Sequence, residues 1–154
     1  MTTKTDIDGV VIKKLTTHLT EDGYFREIIR DEEKLLKKFG QSSVSFTHPG
    51  SIKAFHYHKR QDDLWHFPLG RARVVLHDMR KKSKTYKSTQ VIIMGEDSPS
   101  TLFIPRGVAH GFQVLGHKDT LLFYHTTEHY NPKDEFRIPY DSEEIGFDWS
   151  IKHG

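Results

Sequence analysis

The sequence predicts an all-β domain with one short helix, on three observations. Ten short β-prone segments follow one another along the chain, with Gly and Pro between them. One stretch alone has the charge order of a helix. The 154 residues carry no repeat, linker or shift in composition, so 1–154 reads as a single domain. Many short strands in one domain imply a sandwich or small barrel, whose mouth is a natural ligand site.

Taken in order, Val10–Leu15 and Tyr24–Ile29 are the first strand candidates, on either side of Gly23. The helix candidate is Asp31-Glu-Glu-Lys-Leu-Leu-Lys-Lys-Phe39-Gly40. Acids open it, lysines and a Gly close it, and Leu35, Leu36 and Phe39 share a face. Val44–Thr47 and Ile52–Tyr57 flank the Pro49-Gly50 turn, and Leu64–Phe67 and Ala72–Met79 flank Gly70. Arg80-Lys-Lys-Ser-Lys84 then reads as a solvated loop between strands. Gln90–Met94 ends at Gly95, Leu102–Ile104 leads into Pro105–Gly107, and His110–Leu115 and Leu121–Thr126 flank Gly116.

Composition narrows the function. There are 23 Lys plus Arg against 21 Asp plus Glu, a net charge of +2 with His neutral. That is too small a charge to imply nucleic acid or membrane. With no Cys, disulfides, thiolate–metal sites and Cys nucleophiles are excluded. The amino-terminal residues carry no apolar signal segment, and Val91–Met94 and Leu121–Tyr124, the longest apolar runs, are far too short to span a bilayer. A cytoplasmic protein is expected.

The unusual residue is histidine, with eleven copies. His56 and His58 are two apart and leave the same face of a strand. Asp63 follows after a short turn, at the start of the next strand, where an antiparallel hairpin brings it beside the two rings. Ile104-Pro-Arg-Gly-Val-Ala-His110 offers a third imidazole. His56, His58, Asp63 and His110 together suit a divalent transition metal such as Zn, Fe, Mn, Ni or Co. No organic cofactor is expected. His66, at odd separation from Asp63, should face away, toward the surface or an interface, and His77, His117 and His153 should be solvent-exposed. Trp65 and Phe67 read as core or dimer packing, and Tyr57 should point away from the pocket.

The run from Gly50 through His56-x-His58, Asp63 and Gly70, followed by Pro105-x-Gly107-x-x-His110, resembles the two motifs of the cupin superfamily. That implies a double-stranded β-helix, a jelly-roll barrel. A closer resemblance covers roughly residues 10–150. It runs through Gly23-Tyr-Phe25-Arg-Glu27, Gln41-x-Ser43-x-Ser45, Lys53-Ala-Phe-His56, Asp78-Met-Arg80 and Ser83-x-Thr85-Tyr86. It continues in His110-Gly-Phe112, Phe123-Tyr124, His129-Tyr130-Asn-Pro132-x-x-Glu135 and Ile145-Gly-Phe-Asp148-Trp149. These segments resemble the dTDP-4-dehydrorhamnose 3,5-epimerase family, which acts on nucleotide-linked 4-keto sugars. The resemblance implies His56 as base, Tyr124 as acid, and Phe25, Glu27, Gln41, Lys53, His110 and Tyr130 on the substrate side. It also implies a homodimer with amino-terminal strand exchange.

Four positions depart from that pattern. Asp63 stands where the family has the lysine that steadies the enolate, His58 where it has Gln, and Asp22 where it has Arg. Beyond Trp149, where the family supplies an Asp to pair with the base, this sequence reads Ser150-Ile-Lys-His-Gly154. A bare carboxylate would repel an enolate, whereas Asp63 and His58 as ligands would hold a dication able to polarise the ketone. If His56 also ligates, the base must be His66, His48, His125 or a metal-bound hydroxide. If the site is empty, His56 keeps the base role. A chelator abolishes activity in the first case and leaves it unchanged in the second. The expected function is epimerisation or isomerisation of a nucleotide-linked 4-keto-6-deoxy sugar. The alternatives are a metal cupin of other chemistry, such as a dioxygenase or another sugar isomerase, and a non-catalytic sugar-binding cupin.

Overall fold

β-Branched and aromatic residues, cut at short intervals by Gly and Pro, make antiparallel strands the dominant regular structure of the chain. The structure is a computed structural model and describes residues 2–153. Its strands are β1 (Thr2–Thr3), β2 (Val11–Lys14), β3 (His18–Thr20), β4 (Gly23–Phe25), β5 (Gln41–Thr47), β6 (Ile52–Tyr57) and β7 (Asp63–Leu69). They continue as β8 (Arg71–Asp78), β9 (Thr89–Gly95), β10 (Ser100–Ile104), β11 (Val108–Val114), β12 (Thr120–Thr126) and β13 (Phe136–Arg137). One sheet has the order β1-β2-β10-β7-β12-β5, a second β13-β6-β11-β8-β9, and β3 and β4 pair apart as a hairpin. This is the all-β jelly-roll barrel that the sequence predicts. No helix among the described residues is long and apolar enough to cross a membrane.

The main core lies between the two sheets, where Phe67, Val74, Leu76, Met94, Leu102 and Ile104 meet. Each is at most 1% exposed, and burying such side chains contributes roughly 1.5–3 kcal/mol apiece. A second cluster covers the outer face of the five-stranded sheet. There Phe55, Val75 and Ala109 pack beneath Ile145, Phe147 and Trp149. Arg73 ties this flap down by donating to the backbone carbonyl of Trp149.

Three expectations are corrected. The helix over 31–40 is a single 3-10 turn, Asp31–Glu33, after which Lys34 takes a left-handed φ of 55°. Glu33 of that turn is drawn to Lys13 on β2, and Gly40 donates its N–H to Thr126 O at 2.7 Å. These long-range contacts outcompete a helix too short to be stable by itself. His66 faces away from the pocket as alternation requires, but it is 3% exposed and makes a 2.9 Å hydrogen bond with Ser100 O. His77, expected in solvent, is equally buried and bonds Thr89 Oγ1 at 2.7 Å. His117 and His153 are exposed, and Tyr57 stacks on Phe136 outside the barrel.

Candidate active site

The site grows out of one strand pairing. β11 runs antiparallel to β6 with His110 opposite His56, so both rings enter the barrel from the five-stranded sheet. Four residues of β6, Lys53 to His56, face only three of β11, Phe112 to His110. That extra residue is a bulge, and it reverses the alternation, so Lys53 and His56 both line the pocket despite their odd separation. Gly111 makes the bulge possible, because a Cβ there would sit 2.3 Å from the Ala54 Cβ.

The opposite sheet supplies Asp63 and Trp65 from β7, Tyr124 from β12, and Gln41 and Ser45 from β5. The pocket between them holds about 240 Å³, smaller than the usual cavity for a drug-sized ligand. A longer ligand must extend through its mouth. There Lys53 Nζ donates to Ser45 Oγ at 3.2 Å, and Gln41 Oε1 accepts the Tyr130 N–H at 2.9 Å. Tyr130 itself is 65% exposed and borders the opening.

A segment far along the chain completes the floor. The Asp134 carboxylate accepts the backbone N–H groups of Lys59, Arg60 and Gln61 at 2.8–3.2 Å. This fastens residues 131–137 to the turn after His58. Two consequences follow. The Asp134 carbonyl meets His58 Nδ1 at 2.7 Å, and Glu135 Oε1 meets His56 Nδ1 at 3.2 Å. Sequence reasoning saw Glu135 only as part of a pattern. Its partnership with His56, 79 residues away, has no signature in spacing.

Burial sets the charge of the rings. It pushes the His56 imidazole below its ordinary value, with Glu135 pulling back upward. His110 is pushed down to about 4 by burial, against the opposing pull of Asp63. Both are neutral at pH 7 and keep a lone pair available.

The structure thus gathers Gln41, Lys53, His56, His58, Asp63, His110, Tyr124 and Tyr130 around one pocket. Phe25 and Glu27 are not among its lining residues. They belong to the β3–β4 hairpin and its continuation, which form a sheet of their own, and Glu27 is paired with Arg30. The four-ligand set is also corrected. Among the described residues, the ligand atoms that converge within 4.8 Å belong to His58, Asp63 and His110. His56 lies outside the group because its ring is turned to Glu135. The other bases considered are absent from the pocket lining. His66 is buried on the outer face, His48 pairs with Asp119 in solvent, and His125 packs between Phe39 and Phe123.

Comparison with known proteins agrees with this architecture. The family described as dTDP-4-dehydrorhamnose 3,5-epimerase matches residues 4–153. The spore coat polysaccharide biosynthesis protein SpsL of Bacillus subtilis is 56% identical over 148 residues, which cover 95% of this chain and 98% of that protein. The dTDP-4-dehydrorhamnose 3,5-epimerase of Methanothermobacter thermautotrophicus is 32% identical, over 97% of this chain and 83% of that one. Among solved structures, the 3,5-epimerase RmlC of Legionella pneumophila, in complex with dTDP-4-keto-L-rhamnose, superposes with a TM-score of 0.89. It is 28% identical and covers 99% of this chain and 84% of its own.

Proposed function

The chain belongs to the dTDP-4-dehydrorhamnose 3,5-epimerase family, and from that premise we propose that it epimerises a nucleotide-linked 4-keto-6-deoxy sugar. The observation that carries this reading is the placing of His56 and Tyr124 on opposite sheets, both lining the same pocket. Hydrogens on the carbons beside a ketone are acidic because the electron pair left behind delocalises onto the ketone oxygen. A base on one face and an acid on the other therefore suffice to invert such a carbon.

His56 suits the base role. The Glu135 carboxylate only accepts, so His56 Nδ1 carries the proton and donates to it. Nε2 then holds the lone pair that removes the C–H proton, and Glu135 steadies the imidazolium that results. Tyr124 suits the acid role, since its phenol carries an O–H that can donate into the pocket. Its O–H delivers a proton to the opposite face of the carbon, the ketone re-forms, and solvent resets both groups. Trp65, Phe112 and Leu122 supply apolar pocket wall. Gln41, Lys53 and Tyr130 border the mouth, where the nucleotide end of a substrate would emerge. A cytoplasmic location fits, because nucleotide-activated sugars are built from intracellular nucleoside triphosphates.

The test is solvent-proton exchange. Incubated in D2O with a panel of nucleotide-linked 4-keto-6-deoxy sugars, the protein should place deuterium at carbon beside the ketone in at least one, read by NMR. Absence of exchange across the panel sinks the enzymatic reading and favours a binding protein.

The same proposal gives the hairpin a purpose in a homodimer. Leu19 is 84% and Phe25 58% exposed, an apolar display that a lone chain gains nothing from. A second copy of the chain would cover it and receive Phe25 and Glu27 at its pocket. Sedimentation should give twice the chain mass, and Leu19→Ser with Phe25→Ser should shift it toward the monomer. A wild-type monomer at micromolar concentration overturns the dimer.

A further inference from the structure

At the floor of the pocket, three hydrogen-bond acceptors point at one another. His58 Nδ1 lies 2.7 Å from the Asp134 carbonyl oxygen and His110 Nδ1 3.1 Å from that of Val108. A carbonyl oxygen only accepts, so both Nδ1 atoms carry the proton and donate. In a neutral ring, Nε2 is then left with its lone pair. His110 Nε2 faces Asp63 Oδ2 at 3.9 Å, and one ligand atom from each of His58, Asp63 and His110 lies within 4.8 Å of the others. No donor stands among them. The donors to Asp63 are Gln61 Nε2 at 2.8 Å on Oδ1 and Trp65 Nε1 at 3.1 Å on Oδ2. Asp63 and His110 are 4% and 5% exposed, so water does little to relieve the opposition. A buried carboxylate facing two lone pairs is unfavourable until a cation takes the space between them.

We infer that His58, Asp63 and His110 bind one divalent first-row transition ion, with His56 outside the coordination set. Two imidazole nitrogens and one carboxylate oxygen suit such an ion better than a hard one such as Mg or Ca. Both rings are oriented from behind by backbone carbonyls, as metal-bound histidines normally are. Three protein ligands beside an open pocket leave a coordination position for a ligand, the pattern of reactive rather than structural centres. The inference rests on the proposed function for its use. Lys53 is the one Lys or Arg among the pocket-lining residues, and it is at the mouth, bonded to Ser45. A bound cation beside His56 would polarise the ketone and favour proton removal. Because His56 is turned to Glu135, the ion and the base are not in competition.

Binding is tested apart from activity. Untagged protein, purified without chelator, is assayed for metal by mass spectrometry, then stripped and titrated with Co(II) and Ni(II). Expected are close to one ion per chain, ligand-field bands of protein-bound Co(II), and quenching of Trp65 fluorescence that saturates at one equivalent. His58→Gln, at a partly exposed position, should weaken binding by more than the roughly 10–100-fold typical of changes behind the ligands. Asp63→Asn should do the same, each variant being checked for native circular dichroism. His56→Gln should leave the stoichiometry unchanged. Folded protein that takes up no ion overturns the site. Dependence of binding on His56 overturns the three-ligand assignment. Proton exchange undiminished in stripped protein overturns the role in catalysis. Stoichiometric binding without exchange on any sugar keeps the site and removes the epimerase.

Discussion

His56→Gln is expected to reduce deuterium incorporation beside the ketone by about 10²–10⁴-fold, the range for loss of a positioned general base. On the proposed mechanism the change removes the nitrogen that takes the carbon-bound proton. Stability should hold, because the ring is partly exposed and makes a single hydrogen bond, to Glu135. Glu135→Gln should lower kcat less, because the ring and its Nε2 remain while the charge that steadies the imidazolium is gone. Tyr124→Phe should separate the two half-reactions, as exchange on the His56 face continues and the inverted product fails to form. Read together by NMR, the three variants distinguish a base, its positioning residue and an acid. His56→Gln retaining wild-type exchange would move the base elsewhere.

Gly111→Ala should be strongly damaging for so small a substitution. Its φ is not left-handed, so the reason is space. The added carbon would stand 2.3 Å from Ala54 Cβ, 2.7 Å from Ala54 Cα and 2.8 Å from Lys53 O. Two of these are backbone atoms and cannot swing aside. Forced apart, β6 and β11 would lose the pairing that sets His56 against His110. Overpacking of this kind costs typically about 1–3 kcal/mol, and this contact lies at the tight end. The measurement is the urea midpoint together with the exchange rate. Adding Ala54→Gly removes the nearest clash and leaves the backbone ones, so it should restore only part of the stability. An unchanged midpoint for Gly111→Ala would refute the account of the bulge.

How far the primary structure reaches can be judged at particular residues. β6 is legible to the residue as Ile52–Tyr57, and β8, β9 and β12 to within one at each end, because alternation and the bounding turns are local properties. The placing of His56 and His58 on one face follows from period two, but the hairpin expected to return Asp63 does not form. β6 and β7 lie in different sheets, so Asp63 reaches the rings from across the barrel and His110 from the neighbouring strand β11. The stretch 31–40 has the charges of a helix, yet two of them, Glu33 and Lys38, pair with Lys13 and Glu128 far along the chain, which no local window reports.

The chain's amino-acid order by itself determined the barrel, the histidine face and the family. Each depends on what a residue does within a few positions of itself, or on a pattern carried along the whole length. Only the tertiary structure decided which groups act together. The bulge at Ala54 and Phe55 turns Lys53 into the pocket against simple alternation. Asp134 anchors a distant segment and so delivers Glu135 to His56 and a carbonyl to His58. That segment draws His56 into a pair with Glu135 and leaves His58, Asp63 and His110 as the group that would hold an ion on the inference above. The physical reason is common to all three. A hydrogen bond between residues far apart in the chain orients a ring as firmly as a neighbour does, and leaves no trace in spacing.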